Sequence, residues 1–209
     1  MNSPINTFLD FDGTLVHQNS SQVLIKHLLS RPSTPLQRLV AAAFNSPLQW
    51  LLTKTLGAFT RLANEKDMTL WLLMHLFHGA FDPSDRRLYQ AVAADLTLNT
   101  ALAGEYSQPF IILSVGLQPV IEEFLKQHPE VNCAGVYGSN VRLRGRRYQP
   151  ALKDIHHKLE HLEAADRPRY FTDFEHEAKV FRAALATGYR VTALPLKTRK
   201  PIYLLEAAS

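Results

Sequence analysis

Two aspartates stand two residues apart, directly after a short apolar run near the beginning of the chain. The run from Ile5 to Phe11 predicts a buried strand, so Asp10 and Asp12 are expected at its carboxyl end. In open parallel sheets, ligands bind at the carboxyl ends of the strands. Two carboxylates this close repel each other unless a cation or an ammonium group offsets their charge. The pair therefore indicates a polar site that needs a positive charge.

The next two residues extend the pattern. Gly13 lets the backbone turn sharply, and the Thr14 hydroxyl can donate a hydrogen bond. An ordinary strand-to-turn signal would explain an isolated Asp-Gly pair. The combination Asp-x-Asp-Gly-Thr fixes four positions, however, and a chance match in a chain of this length is on the order of one in a thousand. The segment is therefore a candidate catalytic motif.

Three later positions carry side chains that can bind an anion or a cation. Ser114 ends an apolar run, Lys153 stands at the start of a predicted helix, and Asp173 ends a second apolar run. Each has an ordinary explanation, because strands often end in Ser, most lysines are solvated and Asp commonly caps a helix. Each of these positions is therefore a modest signal on its own.

The elements predicted around these residues give an α/β fold. One strand is followed by a long helical insertion and then by alternating strands and helices, which predicts a Rossmann-like parallel sheet with helices on both faces. The predicted domains are a core of residues 1–16 and 109–209 and an α-helical cap of residues 17–108. The later strands are expected at Phe110–Ser114, Val131–Tyr137, Arg169–Thr172 and Tyr189–Leu194, the helices at Pro119–Gln127, Ala151–Ala164 and Glu175–Ala186, and a hairpin at Val141–Tyr148.

Composition is typical of one globular α/β unit of 209 residues, with 46% hydrophobic and 20% charged residues. The single cysteine, Cys133, rules out an internal disulfide framework and favours a reducing compartment, so a cytoplasmic location is expected. No secretory leader and no apolar run of membrane-spanning length is predicted. The net charge of +4 suits an anionic substrate but does not indicate nucleic-acid binding.

The segment Phe8–Val16 resembles the first motif of the haloacid dehalogenase superfamily of aspartate-nucleophile hydrolases, in its phosphoserine-phosphatase-like branch with a helical cap. That family's second motif is a Ser or Thr at a strand end, here Ser114. Its third is a Lys at a helix start, for which Lys153 is the candidate and Lys158 the alternative. Its fourth is an acidic strand end, here Asp173.

The sequence departs from the family pattern at four positions. Val115 stands before Gly116 where the branch usually has two glycines after its Ser. Thr172 and Phe174 stand on either side of Asp173, where small residues are usual. Glu177 takes the place of the second acid of the fourth motif and is one methylene longer.

The resemblance implies phosphoryl-transfer chemistry. Asp10 would attack phosphorus and form an aspartyl-phosphate, and Asp12 would protonate the leaving oxygen and then deprotonate the hydrolytic water. A Mg²⁺ ion would bind to Asp10, the main-chain carbonyl of Asp12, Asp173 and the phosphate, with Glu177 behind these ligands. The expected phosphate-binding residues are Asp10, Gly13, Thr14, Ser114, Gly116 and Lys153.

The expected function is a Mg²⁺-dependent phosphatase for a small phosphate monoester. Two alternatives stay open: a lipid or prenyl phosphate phosphatase or phosphotransferase at a membrane surface, and a non-catalytic protein that binds a phosphorylated ligand. The stretch after the first motif, His17–Ser21, has no acid, which disfavours phosphoserine. The cap is expected to be apolar with scattered bases, either as the core of a helical bundle or as an amphipathic surface; its residues include Trp50, Leu51, Leu52, Lys54, Phe59, Arg61, Trp71, Leu72, Leu73 and Phe77.

Overall fold

A computed structural model describes residues 5–44, 46, 73–82, 84–144, 147–198 and 200–208. Most of the apolar residues predicted for the cap, from Trp50 to Leu72, lie outside these ranges, as do the two central residues of the predicted hairpin turn, Gly145 and Arg146. Among the described residues, no helix is long and apolar enough to cross a membrane.

Seven strands of the described chain form one mixed sheet in the order β4-β3-β2-β1-β5-β7-β6. Strand β1 lies at the centre and pairs in parallel with β2 and β5, and β2 pairs in parallel with β3. The strands are β1 (Thr7–Leu9), β2 (Phe110–Leu117), β3 (Cys133–Arg144), β4 (Arg147–Ala151), β5 (Arg169–Thr172), β6 (Tyr189–Leu194) and β7 (Ile202–Ala207). The α/β class with a Rossmann-like parallel centre is confirmed.

The edges of the sheet are antiparallel. The predicted hairpin is present, because β3 and β4 pair from Asn140↔Ala151 to Arg144↔Arg147. At the other edge β6 pairs antiparallel with β7, a strand that was not predicted. The connection between them, residues 195–201, is shorter than the dozen or so residues that a parallel crossover requires, so β7 must run back beside β6.

Helices cover both faces of the sheet. They are α1 (Ser20–Ser30), α2 (Pro35–Phe44), α3 (Arg87–Ala94), α4 (Ala103–Tyr106), α5 (Gln118–Gln127), α6 (Ile155–Glu163) and α7 (Glu175–Ala184), with 3-10 turns at His78–Phe81 and Thr100–Leu102. Residues 73–76 are also helical.

Helix α6 was predicted to begin at Ala151, but it begins at Ile155. The Asp154 side chain accepts hydrogen bonds from the backbone N–H groups of His156 and His157, and so caps this helix. Ala151 belongs to strand β4, where it pairs with Asn140. Lys153 therefore lies in a connection before the helix.

Both ends of the predicted cap segment share one hydrophobic cluster with the sheet. Leu24 and Leu28 of α1 and Val92 of α3 are buried in the same cluster as Phe11 and Phe124. Tyr89 is completely buried and donates a hydrogen bond to the Phe81 carbonyl at 2.9 Å. The ends of this segment thus hold the first motif against the sheet, while a separate cap over residues 17–108 stays a prediction.

We expect Phe124→Ala to destabilise the fold by about 3–5 kcal/mol, because truncation of a buried Phe leaves a cavity. Phe124 is completely buried, and its ring and the Phe11 ring form a T-shaped pair at a centroid distance of 5.5 Å. Urea unfolding measures the loss. The control is Leu143→Ala, at a side chain that is 63% exposed, which should change stability by less than about 0.5 kcal/mol. Equal losses in both variants would contradict this description of the core.

Candidate functional site

A cavity of about 340 Å³ opens at the carboxyl ends of the central strands. Asp10 follows β1, Asp173 follows β5, and Val115 lies near the end of β2, so neighbouring parallel strands bring these residues to one edge. The described residues that line the cavity are Asp10, Asp12, Gly13, Asn19, Val115, Lys158, Asp173, Phe174, Glu177 and Lys200.

Asp10 is buried and fixed at both its backbone and its carboxylate. Its N–H donates to the Phe171 carbonyl at 2.8 Å, which ties it to β5. Its Oδ1 accepts a hydrogen bond from the Phe11 N–H at 2.8 Å and lies 3.1 Å from the Lys158 Nζ. Burial raises the pKa of Asp10; the Lys158 ammonium opposes this shift, and the Glu177 and Asp12 carboxylates add to it.

The lysine that contacts Asp10 is Lys158, the alternative candidate for the third motif. It lies on the buried face of α6, and its side chain is only 2% exposed. Burial alone would lower its pKa, but the Asp10 and Glu177 carboxylates outweigh burial and place the pKa above the ordinary lysine value. Lys158 therefore stays an ammonium group at neutral pH.

The backbone of Lys153, the first candidate for the third motif, is fixed by a hydrogen bond to strand β3. Its N–H donates to the Ser139 Oγ at 2.8 Å, and that hydroxyl donates to the Val115 carbonyl at 2.6 Å. Lys153 is not among the residues that line the cavity. The choice of Lys153 rested on a helix start at Ala151, and the Asp154 cap moves that start past it.

Glu177 is the counterion of Lys158. Its Oε1 lies 2.8 Å from the Lys158 Nζ, and its Oε2 accepts hydrogen bonds from the Tyr170 and Thr172 hydroxyls at 2.9 and 2.8 Å. The Lys158 ammonium also donates to the Tyr170 hydroxyl at 3.0 Å. With both carboxylate oxygens engaged in this way, Glu177 positions Lys158. Its expected place behind the metal ligands stays a prediction. The polar partners Tyr170 and Thr172 were not anticipated, because strand residues give no sequence signal of where their hydroxyls bond.

Asp12 is anchored to the start of α1. Its two carboxylate oxygens accept hydrogen bonds from the Ser20 backbone N–H at 2.7 Å and the Ser20 hydroxyl at 3.1 Å. Burial raises the pKa of Asp12, and the hydrogen bonds from Ser20 counteract part of that shift. This direction of the shift favours the protonated form of Asp12, which is the form that a general acid requires.

Two glycines make room for the polar side chains. Gly13 has a φ of +74°, and a Cβ atom there would lie 2.1 Å from the Asp173 Oδ2, so any other residue would displace that carboxylate. A Cβ atom at Gly116 would lie 3.1 Å from the Ser114 Oγ and 3.4 Å from the Asp12 Oδ2. Gly116 therefore lets Ser114 and Asp12 converge.

Ser114 and Thr14 have different surroundings. The buried Ser114 hydroxyl accepts a hydrogen bond from the Gly116 N–H at 2.9 Å, which fixes the end of β2. Thr14 is completely buried, and its hydroxyl has no hydrogen-bond partner among the described residues. Thr14 does not line the cavity, whereas Gly13 does. The phosphate-binding roles predicted for Ser114, Gly116 and Thr14 stay predictions.

Lys200 enters the cavity from the connection between β6 and β7. Its Nζ lies 2.6 Å from the Asp173 Oδ2, although its side chain is 61% exposed. Sequence reasoning missed this residue, because it lies 27 positions after Asp173 in a connection without a local motif. A second ammonium group therefore offsets the carboxylates, beside Asp173.

The oxygen atoms at this edge are chemically suited to Mg²⁺. The described residues contain no ready-made group of three His, Cys, Asp or Glu side chains around a metal position. Mg²⁺ is commonly held by one or two carboxylates together with waters and substrate phosphate, and such a partial set is present in Asp10, Asp173 and the Asp12 carbonyl. The space that Gly13 leaves for Asp173 brings that carboxylate against the turn after Asp12. The oxygen atoms of Asp10, Asp12 and Asp173 are therefore of the kind and number that a Mg²⁺ ion needs from a protein.

Residues 7–181 match the family model described as haloacid dehalogenase-like hydrolase. This range is most of the chain and includes Asp10, Ser114, Lys158 and Asp173. The chain therefore belongs to the haloacid dehalogenase-like hydrolase family. A search of curated proteins gave no match.

Solved structures similar to this chain include members of the same family. A haloacid dehalogenase family hydrolase from Salmonella enterica serovar Typhi is 13% identical over 76% of this chain, with a TM-score of 0.45, and this chain spans 50% of its length. A phosphoserine phosphatase in a phospho-aspartyl intermediate analogue form is 11% identical over 77% of this chain and 70% of its own, with a TM-score of 0.41. Cytosolic 5'-nucleotidase IIIB bound to cytidine is 16% identical over 72% of this chain and 55% of its own, with a TM-score of 0.39.

We expect Glu177→Gln to destabilise the protein by about 3–5 kcal/mol, because it removes one partner of a buried ion pair. In a double-mutant cycle with Lys158→Met, the two losses should be non-additive by about 1–3 kcal/mol. Urea unfolding measures all four proteins. Glu175→Gln, on the same helix but in an exposed pair with Lys179, is the control and should cost less than about 1 kcal/mol. Additive losses at Lys158 and Glu177 would show that the pair is not coupled.

We expect Lys200→Met to tighten divalent-cation binding about two- to fivefold, because it removes an exposed ammonium group whose ion pair is worth up to about 1 kcal/mol. Titration with Mn²⁺, followed by electron paramagnetic resonance, measures the affinity without any substrate. Lys179→Met removes a similarly exposed ammonium outside the cavity and should leave the affinity unchanged. Weaker Mn²⁺ binding by Lys200→Met would refute the competition between Lys200 and the metal.

Proposed function

We propose that the protein is a Mg²⁺-dependent phosphatase that hydrolyses a small phosphate monoester through an aspartyl-phosphate on Asp10. The observation that carries this proposal is the buried pairing of Asp10 with Lys158, at 3.1 Å, on the wall of a cavity that Asp12 also lines. Phosphoryl transfer of this kind needs a carboxylate nucleophile, a fixed cation and a second carboxyl group that transfers a proton. Asp10, Lys158 and Asp12, whose pKa is raised, are suited to these roles.

The first half-reaction begins with binding of the phosphate dianion beside the Lys158 and Lys200 ammonium groups. Because Oδ1 of Asp10 already contacts Lys158 and the Phe11 N–H, Oδ2 is the oxygen that attacks phosphorus. The bond from phosphorus to the ester oxygen breaks as the bond to Oδ2 forms. Asp12 gives its proton to the leaving oxygen, so an alcohol departs.

The second half-reaction restores the enzyme. Asp12, now a carboxylate, takes a proton from a water molecule that attacks phosphorus. The bond between phosphorus and Asp10 Oδ2 breaks, and inorganic phosphate leaves. Lys158 stabilises the charge on the phosphoryl oxygens in both steps, and Glu177 holds it in place.

Mg²⁺ would be held by Asp10, the Asp12 carbonyl and Asp173, and when bound it supplies charge neutralisation for the phosphoryl oxygens. For these residues to accept the ion, Lys200 has to yield its contact with Asp173. Its exposed position makes that movement inexpensive.

A second candidate function is the binding of a phosphorylated ligand without turnover. It is favoured by the same contact, because an ammonium group on Asp173 offsets the acids without a metal. Ligand binding that persists without phosphate release, with or without Mg²⁺, would support this alternative.

We expect Asp10→Asn to abolish Mg²⁺-dependent phosphate release, because an amide is not a nucleophile. Asp12→Asn should lower kcat about 10²–10⁴-fold through loss of the general acid and base. Phosphate release is measured over a panel of sugar phosphates, nucleotides, phosphoglycerols, prenyl phosphates and aryl phosphates. Asp166→Asn, at an exposed carboxylate after α6, is the matched control and should keep full activity. Turnover by Asp10→Asn at the wild-type rate, or none by the wild type on any substrate, would refute the proposal.

A further inference from the structure

We propose that the cavity selects phosphate monoesters with an apolar leaving group, an aryl or alkyl chain, and that Val115 and Phe174 are the residues that recognise it. This inference rests on the proposed function. Val115 is 41% exposed and Phe174 is 56% exposed, and both line the same cavity as Asp10. They are also two of the positions at which the sequence departs from the family pattern.

Val115 is held facing the cavity by its backbone. It is the exposed residue of β2, between the buried Ser114 and Gly116. Its carbonyl accepts the Ser139 hydroxyl at 2.6 Å, and the Gly116 N–H donates to Ser114. The main chain on both sides of Val115 is therefore fixed, and the side chain cannot turn inward without breaking these bonds.

Phe174 is fixed in a similar way. Its N–H donates to the Thr172 Oγ1 at 3.2 Å, and α7 begins at the next residue. Its ring is 5.7 Å from the His176 ring, which is also on the exposed side of α7. The Phe174 ring is thus an exposed apolar group beside Asp173, in a cavity whose other walls are mainly charged.

The cavity has a cationic part and an apolar part, which match the phosphate group and an apolar leaving group of one phosphate monoester. The Lys158 and Lys200 ammonium groups attract a phosphate dianion, whereas Val115 and Phe174 gain nothing from a charged or strongly hydrated leaving group. An apolar side chain gains free energy when apolar surface covers it and removes it from water. An apolar leaving group that covers both side chains would gain from that burial, and a glycerol or serine leaving group would not.

The test compares kcat/KM for phenyl phosphate and hexyl phosphate with that for glycerol 3-phosphate and phosphoserine, with Mg²⁺ present. We expect the wild type to favour the apolar esters about tenfold or more, the discrimination that a small apolar contact provides. Phe174→Ser should lower kcat/KM for the apolar esters about tenfold and change it for glycerol 3-phosphate less than about threefold. Phe174→Leu should keep most of the preference, and Val115→Ser should lose part of it.

Leu143→Ser is the matched control, because Leu143 is an exposed apolar side chain on β3 that does not line the cavity. It should leave the preference unchanged. Equal kcat/KM for all esters in the wild type, or the same fractional loss for every ester in Phe174→Ser, would overturn the inference. So would a large fall in the melting temperature of Phe174→Ser without a change in preference, because that result would mean that the protein itself covers the ring.

Measurements of phosphonate binding test the apolar contact independently of the proposed hydrolysis. Phenylphosphonate and a hydroxyalkyl phosphonate contain no ester bond that the site could hydrolyse, and calorimetry gives their affinities for the wild type and Phe174→Ser. Tighter binding of phenylphosphonate that is lost in Phe174→Ser supports the apolar contact even if no ester is hydrolysed. Equal affinities for the two phosphonates refute it, whatever the turnover.

Discussion

The arrangement of the site depends on one buried ammonium group. Lys158 lies between Asp10 at 3.1 Å and Glu177 at 2.8 Å, and it is nearly inaccessible to water. Burial of a single carboxylate at the end of β1 would be costly, and burial of two would be more so. The cation between them makes both possible, and it joins the first strand to α6 and α7. Because Lys158 is shared, the geometry around Asp10 also depends on Glu177 and on the Tyr170 and Thr172 hydroxyls that hold its carboxylate.

Glu177 is the second partner of the buried ammonium group. Its carboxylate accepts hydrogen bonds from Lys158, Tyr170 and Thr172. The negative charge left at the cavity then comes from Asp10, Asp12 and Asp173. Lys200 offsets part of it at Asp173, so a divalent cation that bound there would compete with this ammonium group.

The sequence predicted the parts of the fold and the site that have a local signal. Asp10 and Asp12 follow one apolar run and Asp173 follows another. These two runs form the neighbouring parallel strands β1 and β5. The lysine that contacts Asp10 was only the alternative candidate, because the helix start depends on the Asp154 cap. Lys158 and Leu162 are buried on one face of α6, four residues apart, and a lysine within an apolar stripe was the signal available.

The parts that were not predicted depend on contacts distant in the chain. Strand β7 adds to the sheet because the connection after β6 is too short for a crossover, and Lys200 lies in that connection. Neither has a periodic pattern of its own. Likewise, the exposure of Val115 and Phe174 depends on how β2 and α7 meet the cavity.

The central claim is that Asp10 carries the phosphoryl group, and trapping of that intermediate tests it most directly. The Asp12→Asn variant, which should deprotonate the hydrolytic water poorly, would be mixed with radiolabelled phenyl phosphate and Mg²⁺, quenched in acid and digested. The account predicts that the label is recovered on the peptide that contains Asp10 and that it is absent when Asp10 is also replaced by Asn. Label on any other residue, or phosphate released with no labelled protein at any time during turnover, would contradict it.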